Sequence, residues 1–315
     1  MAKKSFPLAV VEYIPVRAMI ALLGSMPREL AIRTGIGLAR AFRAVTGGRR
    51  DTAVTNLRIA FPDLSDPERE AIFRRSIDNL GRVLGEVSQF RRYDPARLAE
   101  LVEFSFESND DQTRERSEYF YRERAKGRGA IIASPHLGNW EIGVMAYSAL
   151  REPLTYLARP LDNPLLEDFT ERMRSRFGNR PVAKTNGLLA VMDILRRGGI
   201  VGLLPDVNVQ QKDGFFVPFF GVEACTTGGV AMLAKRTNAM IVPMCTPWEE
   251  SLGRYVVRYG DIIEPSSTGD RHRDVIETTA AMTLAMERFI RAYPDQWIWT
   301  HKRWKTRPDG EPPIY

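Results

Sequence analysis

The sequence predicts an α/β fold with a mainly parallel central sheet, helices on both faces of that sheet and an added N-terminal helical layer. From residue 130 onward, short apolar runs alternate with longer segments of helical periodicity, a pattern typical of parallel sheets. The first hundred residues instead carry helical periodicity alone. With 315 residues, 44% of them hydrophobic, the chain is long enough to bury a large core.

The first segment, residues 1–48, is predicted to be helical and to associate with a membrane. Its apolar stretch, 6–23, is interrupted by Glu12, Pro15 and Arg17. Each charge near the centre of a bilayer costs about 2.5–3.5 kcal/mol on insertion scales. We therefore expect a helix that lies on the membrane face, broken near Pro15, rather than one that spans it. A helix docked on the protein's own core is the alternative.

Residues 49–315 are predicted to form the main domain, with a helical layer over 49–127 and an α/β core over 128–315. In the helical layer, Pro62 ends one helix, and a capping box from Ser65 to Glu68 begins the next. In the core, we expect strands at 130–133, 154–158, 200–204, 240–244 and 255–263, and helices at 140–150, 164–177, 188–197, 228–236 and 272–292.

The turn after the first core strand carries the most informative side chains. His136 lies between a buried strand and a helix, and Asn139 is a plausible N-cap for that helix. Glu141 follows in the first helical turn. A histidine can act as a general base when a carboxylate holds its other ring nitrogen protonated. Alone, this spacing is weak evidence, since an exposed loop histidine beside a helix-capping glutamate gives the same pattern.

Composition narrows the functional classes. The net charge of +6 and the pI of about 9.4 favour anionic partners such as nucleic acid, anionic lipids or an acidic carrier protein. Cys225 and Cys245 are expected to be buried free thiols. The three histidines are too far apart for a metal site, and neither a phosphate-binding glycine loop nor a Gly-x-Ser-x-Gly elbow occurs in the sequence. No nucleic-acid-reading motif is recognisable, so nucleic-acid binding is not expected.

Four further segments accompany the turn from His136 to Glu141. They are Arg159–Pro164 after a strand, Asp206 at the next strand end, Phe215–Gly221, and the Trp- and Lys/Arg-rich segment Tyr293–Lys305. This ordered set resembles the late acyltransferases of lipid A biosynthesis, the lauroyl/myristoyl transferases, which belong to the lysophospholipid acyltransferase superfamily. The resemblance runs from about Asn56 to Tyr315.

The resemblance implies a glycerolphosphate-acyltransferase-like fold and acyl transfer without a cofactor or metal. The donor would be a thioester of acyl carrier protein or acyl-CoA, and the acceptor a hydroxyl of a lipid A precursor-type glycolipid. The enzyme would act at the cytoplasmic face of the inner membrane, attached to its surface.

The resemblance also implies roles for individual residues. His136 matches the catalytic base, and Glu141 matches the carboxylate that orients it. The acceptor side is assigned to Gly138, Asn139, Arg159, Asp206, Phe219, Phe220 and Gly221. Many family members carry Asp-Gln at the strand end where this chain has Asp206-Val207-Asn208.

Several alternatives remain open. The acceptor could instead be a phosphatidylinositol mannoside, an aminolipid or a lysophospholipid, or the chain could be a non-catalytic membrane-surface protein. Asp206 could be a simple turn cap, and the phenylalanines near residue 219 could be ordinary core. The C-terminal tryptophans suit either a membrane interface or ordinary packing.

Overall fold

A mainly parallel sheet forms the centre of the molecule. The structure is a computed structural model that describes residues 5–45, 47–105, 111–157, 161–182 and 187–315. The helices are α1 Phe6–Ser25, α2 Arg28–Val45, α3 Gly47–Ala60, α4 Asp66–Gln89, α5 Pro95–Leu101, α6 Asp111–Ala125, α7 Trp140–Leu150, α8 Pro164–Arg174, α9 Gly187–Arg196, α10 Gly229–Thr237 and α11 Arg271–Ala292. The strands are β1 Val102–Phe104, β2 Ala130–Ala133, β3 Thr155–Leu157, β4 Arg180–Val182, β5 Ile200–Leu203, β6 Gly214–Phe219, β7 Val222–Thr227, β8 Met240–Cys245, β9 Trp248–Glu249 and β10 Arg254–Tyr259.

The sheet has the order β1-β10-β8-β2-β5-β3-β4, with β9 paired to β10. Every pair along this order is parallel except β10 with β8. β2 lies between β5 and β8, and Ala130 is paired with both Ile200 and Met240. The carboxyl ends of these three strands therefore meet at one edge of the sheet.

Helices cover both faces of the sheet, as the sequence predicts. Successive residues of β2 point to opposite faces. Ile132 packs in a cluster with Ile142 of α7, whereas Ile131 packs in a different cluster with Leu233 of α10 and Met282 of α11. Each face of the central strand is thus buried under a helical layer, which accounts for its uninterrupted apolar sequence.

The N-terminal layer is built around α4. The predicted capping box is present at its start, where a Glu68 carboxylate oxygen accepts a hydrogen bond from the Ser65 amide at 2.7 Å. α2 packs closely along α4, because glycines lie at the crossing. A Cβ atom on Gly81 would lie 2.7 Å from the Gly35 carbonyl oxygen.

α1 differs from the sequence expectation, because Pro15 lies inside one continuous helix rather than at a break. The helix is held near both ends by side chains of the main domain. The Asn163 amide donates to the Ala9 carbonyl at 2.9 Å, and the Gln89 amide donates to the Leu23 carbonyl at 2.9 Å. These anchors hold α1 on the main domain although Pro15 cannot donate a helical hydrogen bond.

Five strands, β1, β4, β6, β7 and β9, were not predicted from the sequence. β4 includes Pro181, which is unusual within a strand but acceptable in this strand at the end of the sheet order. β6 and β7 form an antiparallel hairpin whose two turn residues, Phe220 and Gly221, have φ values of +53° and +75°. Both central residues of this turn type require positive φ, and phenylalanine is an atypical choice there.

Candidate active site

The candidate site lies at the carboxyl edge of β2, β5 and β8. His136 follows β2, Asp206 follows β5, and Thr246 follows β8. The turn that carries His136 crosses close to the end of β8. Gly138 has a φ of +65°, and a Cβ atom there would lie 2.7 Å from Pro247 Cα, so a larger residue would displace the turn.

Hydrogen bonds fix the turn on both sides. The Gly138 amide donates to the Gln296 carbonyl at 3.0 Å, and its carbonyl accepts from the Asn79 amide at 3.0 Å. The Asn139 amide donates to the Thr246 carbonyl at 2.8 Å. The Asn139 side chain accepts from the Ile142 amide and caps α7, as predicted. The turn is therefore a rigid platform for His136.

Asp206 holds the imidazole of His136. The Nδ1 atom of His136 lies 2.7 Å from Oδ1 of Asp206, and the backbone amide of His136 donates to Oδ2 at 2.7 Å. The indole of Trp297 donates to the same Oδ2 at 2.9 Å. Since an ionised carboxylate only accepts, Nδ1 carries the proton and the lone pair is on Nε2.

The two groups shift each other's pKa. Burial acts to raise the pKa of Asp206, but the His136 charge and the hydrogen bonds from His136 and Trp297 outweigh it and hold the pKa at about 2. Burial likewise acts to lower the pKa of His136, but the Asp206 carboxylate outweighs it and raises that pKa above its ordinary value. Asp206 therefore stays ionised over the whole physiological pH range.

The other ring nitrogen of His136 is free of partners among the described residues. The His136 side chain is 25% exposed, and its Nε2 has no hydrogen-bond partner in the described part of the chain. Trp140 packs edge-to-face on the ring, with centroids 5.1 Å apart. A nitrogen with a free lone pair, on a partly exposed ring fixed by a buried carboxylate, is the arrangement of a general base.

Glu141 does not occupy the position expected from the sequence. Its carboxylate accepts from Nε of Arg174 at 2.9 Å and from a second guanidinium nitrogen of the same residue. Asp206, and not Glu141, is therefore the carboxylate that contacts Nδ1 of His136. The contact between Glu141 and His136 expected from the sequence is wrong. The reason is local: because α7 begins at Trp140, Glu141 points from its first turn toward α8.

The family model of the bacterial lipid A biosynthesis acyltransferases matches residues 3–306. The chain belongs to this family. It is 28% identical over 295 residues to the lipid A biosynthesis lauroyltransferase of Escherichia coli K12, covering 93% of this chain and 91% of the relative. It is 28% identical over 291 residues to the lipid A biosynthesis palmitoleoyltransferase of the same strain, covering 92% and 90%. A lipid A biosynthesis acyltransferase of Haemophilus influenzae is 26% identical over 266 residues, covering 84% and 78%.

The protein is thus an acyltransferase of the lipid A biosynthesis family, as the sequence motifs indicate. Among the described residues, no group of three or more histidine, cysteine or acidic side chains is arranged to hold a metal ion. Both cysteines are buried free thiols, as predicted.

The acceptor-side residues predicted from the sequence lie in different parts of the structure. Arg159 lies outside the described residues. Gly138 and Asn139 are buried, and their backbone amides donate hydrogen bonds to carbonyl groups of the fold. Phe219 is 0% exposed and packs among the buried tryptophans Trp297 and Trp304. The structure places Asp206 in hydrogen-bond contact with His136. The other acceptor-side residues that it describes have mainly packing roles.

Asn208 lies two residues after Asp206, and its side-chain amide is occupied by hydrogen bonds within the fold. Its side-chain oxygen accepts from the Thr306 amide at 3.0 Å, and its side-chain nitrogen donates to the Thr306 hydroxyl at 3.0 Å. Its backbone amide donates to His301 Nε2 at 2.9 Å. His301 therefore has a structural role, and burial lowers its pKa.

Two residues of the candidate site, Arg174 and Trp297, were not identified from the sequence. Arg174 lies in the last turn of α8, where a basic residue is ordinary, so nothing pointed to its pairing with Glu141. Trp297 was assigned to packing or to a membrane interface, and it is 2% exposed. A buried tryptophan needs a hydrogen-bond partner for its indole, and that requirement could have directed attention to a buried acid.

Proposed function

We propose that this acyltransferase moves a fatty acyl group from an acyl thioester to a hydroxyl of a lipid A precursor-type glycolipid, with His136 as the general base. The observation that carries the proposal is the pair of His136 and Asp206, whose Nδ1 and Oδ1 atoms lie 2.7 Å apart at the sheet edge. Membership of the lipid A acyltransferase family supports the choice of acceptor.

In the proposed reaction, Nε2 of His136 takes the proton of the acceptor hydroxyl as its oxygen attacks the thioester carbonyl. The new C–O bond forms, the C–S bond breaks, and the imidazolium returns the proton to the leaving thiolate. Asp206 stabilises the imidazolium and holds its tautomer. Such a transfer requires a base but no covalent enzyme intermediate.

Glu141 is proposed to contribute indirectly. Its charge favours the protonated form of His136, although less strongly than that of Asp206. Its pairing with Arg174 joins the first turn of α7 to the end of α8, so it also fixes one wall of the site. We class Glu141 and Arg174 as positioning residues rather than as catalytic ones.

The acceptor is proposed to be held by Arg159, whose guanidinium can bind a phosphate through two parallel hydrogen bonds. Phe219, Phe220 and Gly221 are proposed to support the acceptor side from behind, since both phenylalanines are buried. The net charge of +6 favours an anionic donor such as acyl carrier protein, which is acidic. Acyl-CoA remains the alternative donor.

We also propose that the enzyme lies on the cytoplasmic face of the inner membrane through α1. Among the described residues, this is the one helix long and apolar enough to cross a bilayer. Its exposed residues include Val11, Ile14 and Leu22, which recur at helical spacing and form a stripe. That stripe can enter the acyl region while the opposite face stays on the protein.

A reconstituted reaction tests the proposed function. The purified chain is incubated with an acyl-carrier thioester or acyl-CoA and, separately, with a lipid A precursor, a lysophospholipid, a phosphatidylinositol mannoside or an aminolipid. We expect thiol release that depends on the lipid A precursor and a product heavier by one acyl group in mass spectrometry. Thiol release that depends on another acceptor, or on none, would contradict the proposal.

A further inference from the structure

A cavity of about 580 Å³ lies between α1, the end of α4, α7 and α8. That volume is in the ordinary range for a bound small molecule. His136 does not line this cavity, and the residue that α7 contributes to it is Met145, one turn beyond Glu141. None of the residues assigned above to the acyl-transfer chemistry lines it.

The charge of the cavity is strongly positive. Its lining includes four arginines and one aspartate, a formal net charge of +3. Asp168 is already paired with Arg172, at 2.6 Å. Arg17 and Arg91 have no carboxylate partner in the described part of the chain; Arg17 lies over the ring of Phe169, 4.4 Å from its centroid. The cavity therefore offers two uncompensated guanidinium groups to an anion.

The remainder of the lining is apolar. Ile20 and Met145 are buried, and Met173 is half-buried. Methionine side chains adapt to flexible apolar ligands. An apolar floor beneath uncompensated guanidinium groups suits a molecule that is anionic at one end and aliphatic at the other.

The cavity also lies beside the proposed membrane helix. Arg17 is on the half-buried face of α1, whereas Val11 and Leu22 are exposed on the opposite stripe. If α1 rests in the bilayer surface, Arg17 lies at the depth of the lipid phosphates, where arginine is favoured.

We propose that this cavity binds a phosphate-bearing lipid, with the phosphate at Arg17 and Arg91 and an acyl chain over the methionine floor. Two sources share that chemistry. One is an anionic phospholipid of the surrounding bilayer, and the other is the phosphorylated glycolipid acceptor, in which case the site rests on the proposed function.

Lipid binding to the delipidated full-length protein tests the proposal in the absence of any acyl donor. Native mass spectrometry would compare phosphatidylglycerol and a bis-phosphorylated glucosamine-disaccharide lipid. The variant is R17Q/R91Q, and the matched control is R33Q/R236Q, which removes two exposed arginines that do not line the cavity.

We expect the R17Q/R91Q variant to weaken binding by about tenfold or more, as for charge-assisted hydrogen bonds, with the control close to wild type. Loss of phosphatidylglycerol binding assigns the cavity to a bilayer phospholipid, and loss of glycolipid binding assigns it to the acceptor. If neither lipid binds less tightly than in the control, the proposal is overturned. Because no acyl transfer is measured, this outcome is independent of the proposed reaction.

Discussion

At the residue scale, the proposed chemistry depends on the buried carboxylate of Asp206. It is 2% exposed and accepts three hydrogen bonds, two from His136 and one from Trp297. A buried carboxylate without such partners would be protonated. The hydrogen bonds keep it ionised, and its charge raises the pKa of His136.

The first prediction concerns the pH dependence of the reaction. Because the pKa of His136 is raised, kcat/KM should fall on the acid side with a midpoint above the ordinary histidine value of about 6.5. Asp206→Asn removes the charge that raises this pKa, so the acid limb should move to lower pH while the plateau rate drops. The measurement is a pH profile of kcat/KM for both proteins. An acid limb that stays in place would show that Asp206 does not set the pKa of the base.

The second prediction separates the hydrogen bond of Trp297 from its packing. Trp297→Phe keeps an aromatic ring but removes the donor to Asp206, so kcat should fall by about tenfold, as expected for a hydrogen bond to a charged group. Trp299→Phe is the matched control, since Trp299 is equally buried but donates to the Pro294 carbonyl. Equal losses of kcat in both variants would mean that packing, not the hydrogen bond, matters.

The sequence could identify His136 but not its partner. His136, the cap Asn139 and the close turn at Gly138 are all local features, encoded within a few residues. Asp206 is 70 residues away from His136, and only the parallel pairing of β2 with β5 brings the two strand ends together. Glu141 was the nearer carboxylate in sequence, and the pairing with Arg174 that draws it away is likewise non-local.

At the element scale, α2 and α4 pack so closely that glycine is required at their crossing. Gly81 of α4 would place a Cβ atom 2.7 Å from the Gly35 carbonyl oxygen. Asn79, two residues before it, donates to the Gly138 carbonyl in the turn that carries His136. The packing of α4 therefore positions the active-site turn from outside the sheet.

The third prediction tests this crossing. Gly81→Ala should lower the free energy of unfolding by about 1–3 kcal/mol, because the added methyl group forces the two helices apart. Gly37→Ala on α2 is the control: a Cβ atom there meets nothing within 4 Å, so the change should be neutral or stabilising. Chemical denaturation of both variants provides the comparison. A Gly81→Ala protein as stable as wild type would contradict the close packing.

At the scale of the whole molecule, the N-terminal layer and the sheet form a continuous structure. The buried Asn56 of α3 donates to the carbonyls of Trp299 and His301, both at 2.7 Å, and so ties the N-terminal layer to the C-terminal segment. α1 rests on this assembly by one face and exposes the other. The molecule therefore has one apolar helix available for a membrane surface.

The fourth prediction concerns that exposed stripe. Serine substitutions at Val11, Ile14 and Leu22, which are 66%, 58% and 60% exposed, should strongly reduce sedimentation with anionic vesicles while leaving stability nearly unchanged. The control replaces Leu188 and Leu189 of α9, which are 53% and 71% exposed, by serine. Vesicle binding that falls equally in both proteins, or in neither, would place the membrane contact elsewhere.

The fold as a whole was predictable, because alternating strands and helices leave few arrangements. The α/β class, the mainly parallel sheet and both helical faces are confirmed. The division of the chain at residue 48 stays a prediction. The hairpin of β6 and β7 was missed, since its turn uses phenylalanine in a left-handed conformation that sequence rules assign to glycine or asparagine.

The most direct test of the central claim is single-turnover acyl transfer by a His136→Ala variant. The side chain is partly exposed, and truncation removes its ring contact with Trp140 and its hydrogen bond with Asp206, so the variant should fold, which circular dichroism and thermal unfolding can verify. If His136 is the general base, the rate of the chemical step should fall by about 10²–10⁴-fold. A folded variant that transfers the acyl group within a few-fold of the wild-type rate would contradict the account, and the base would have to be another group.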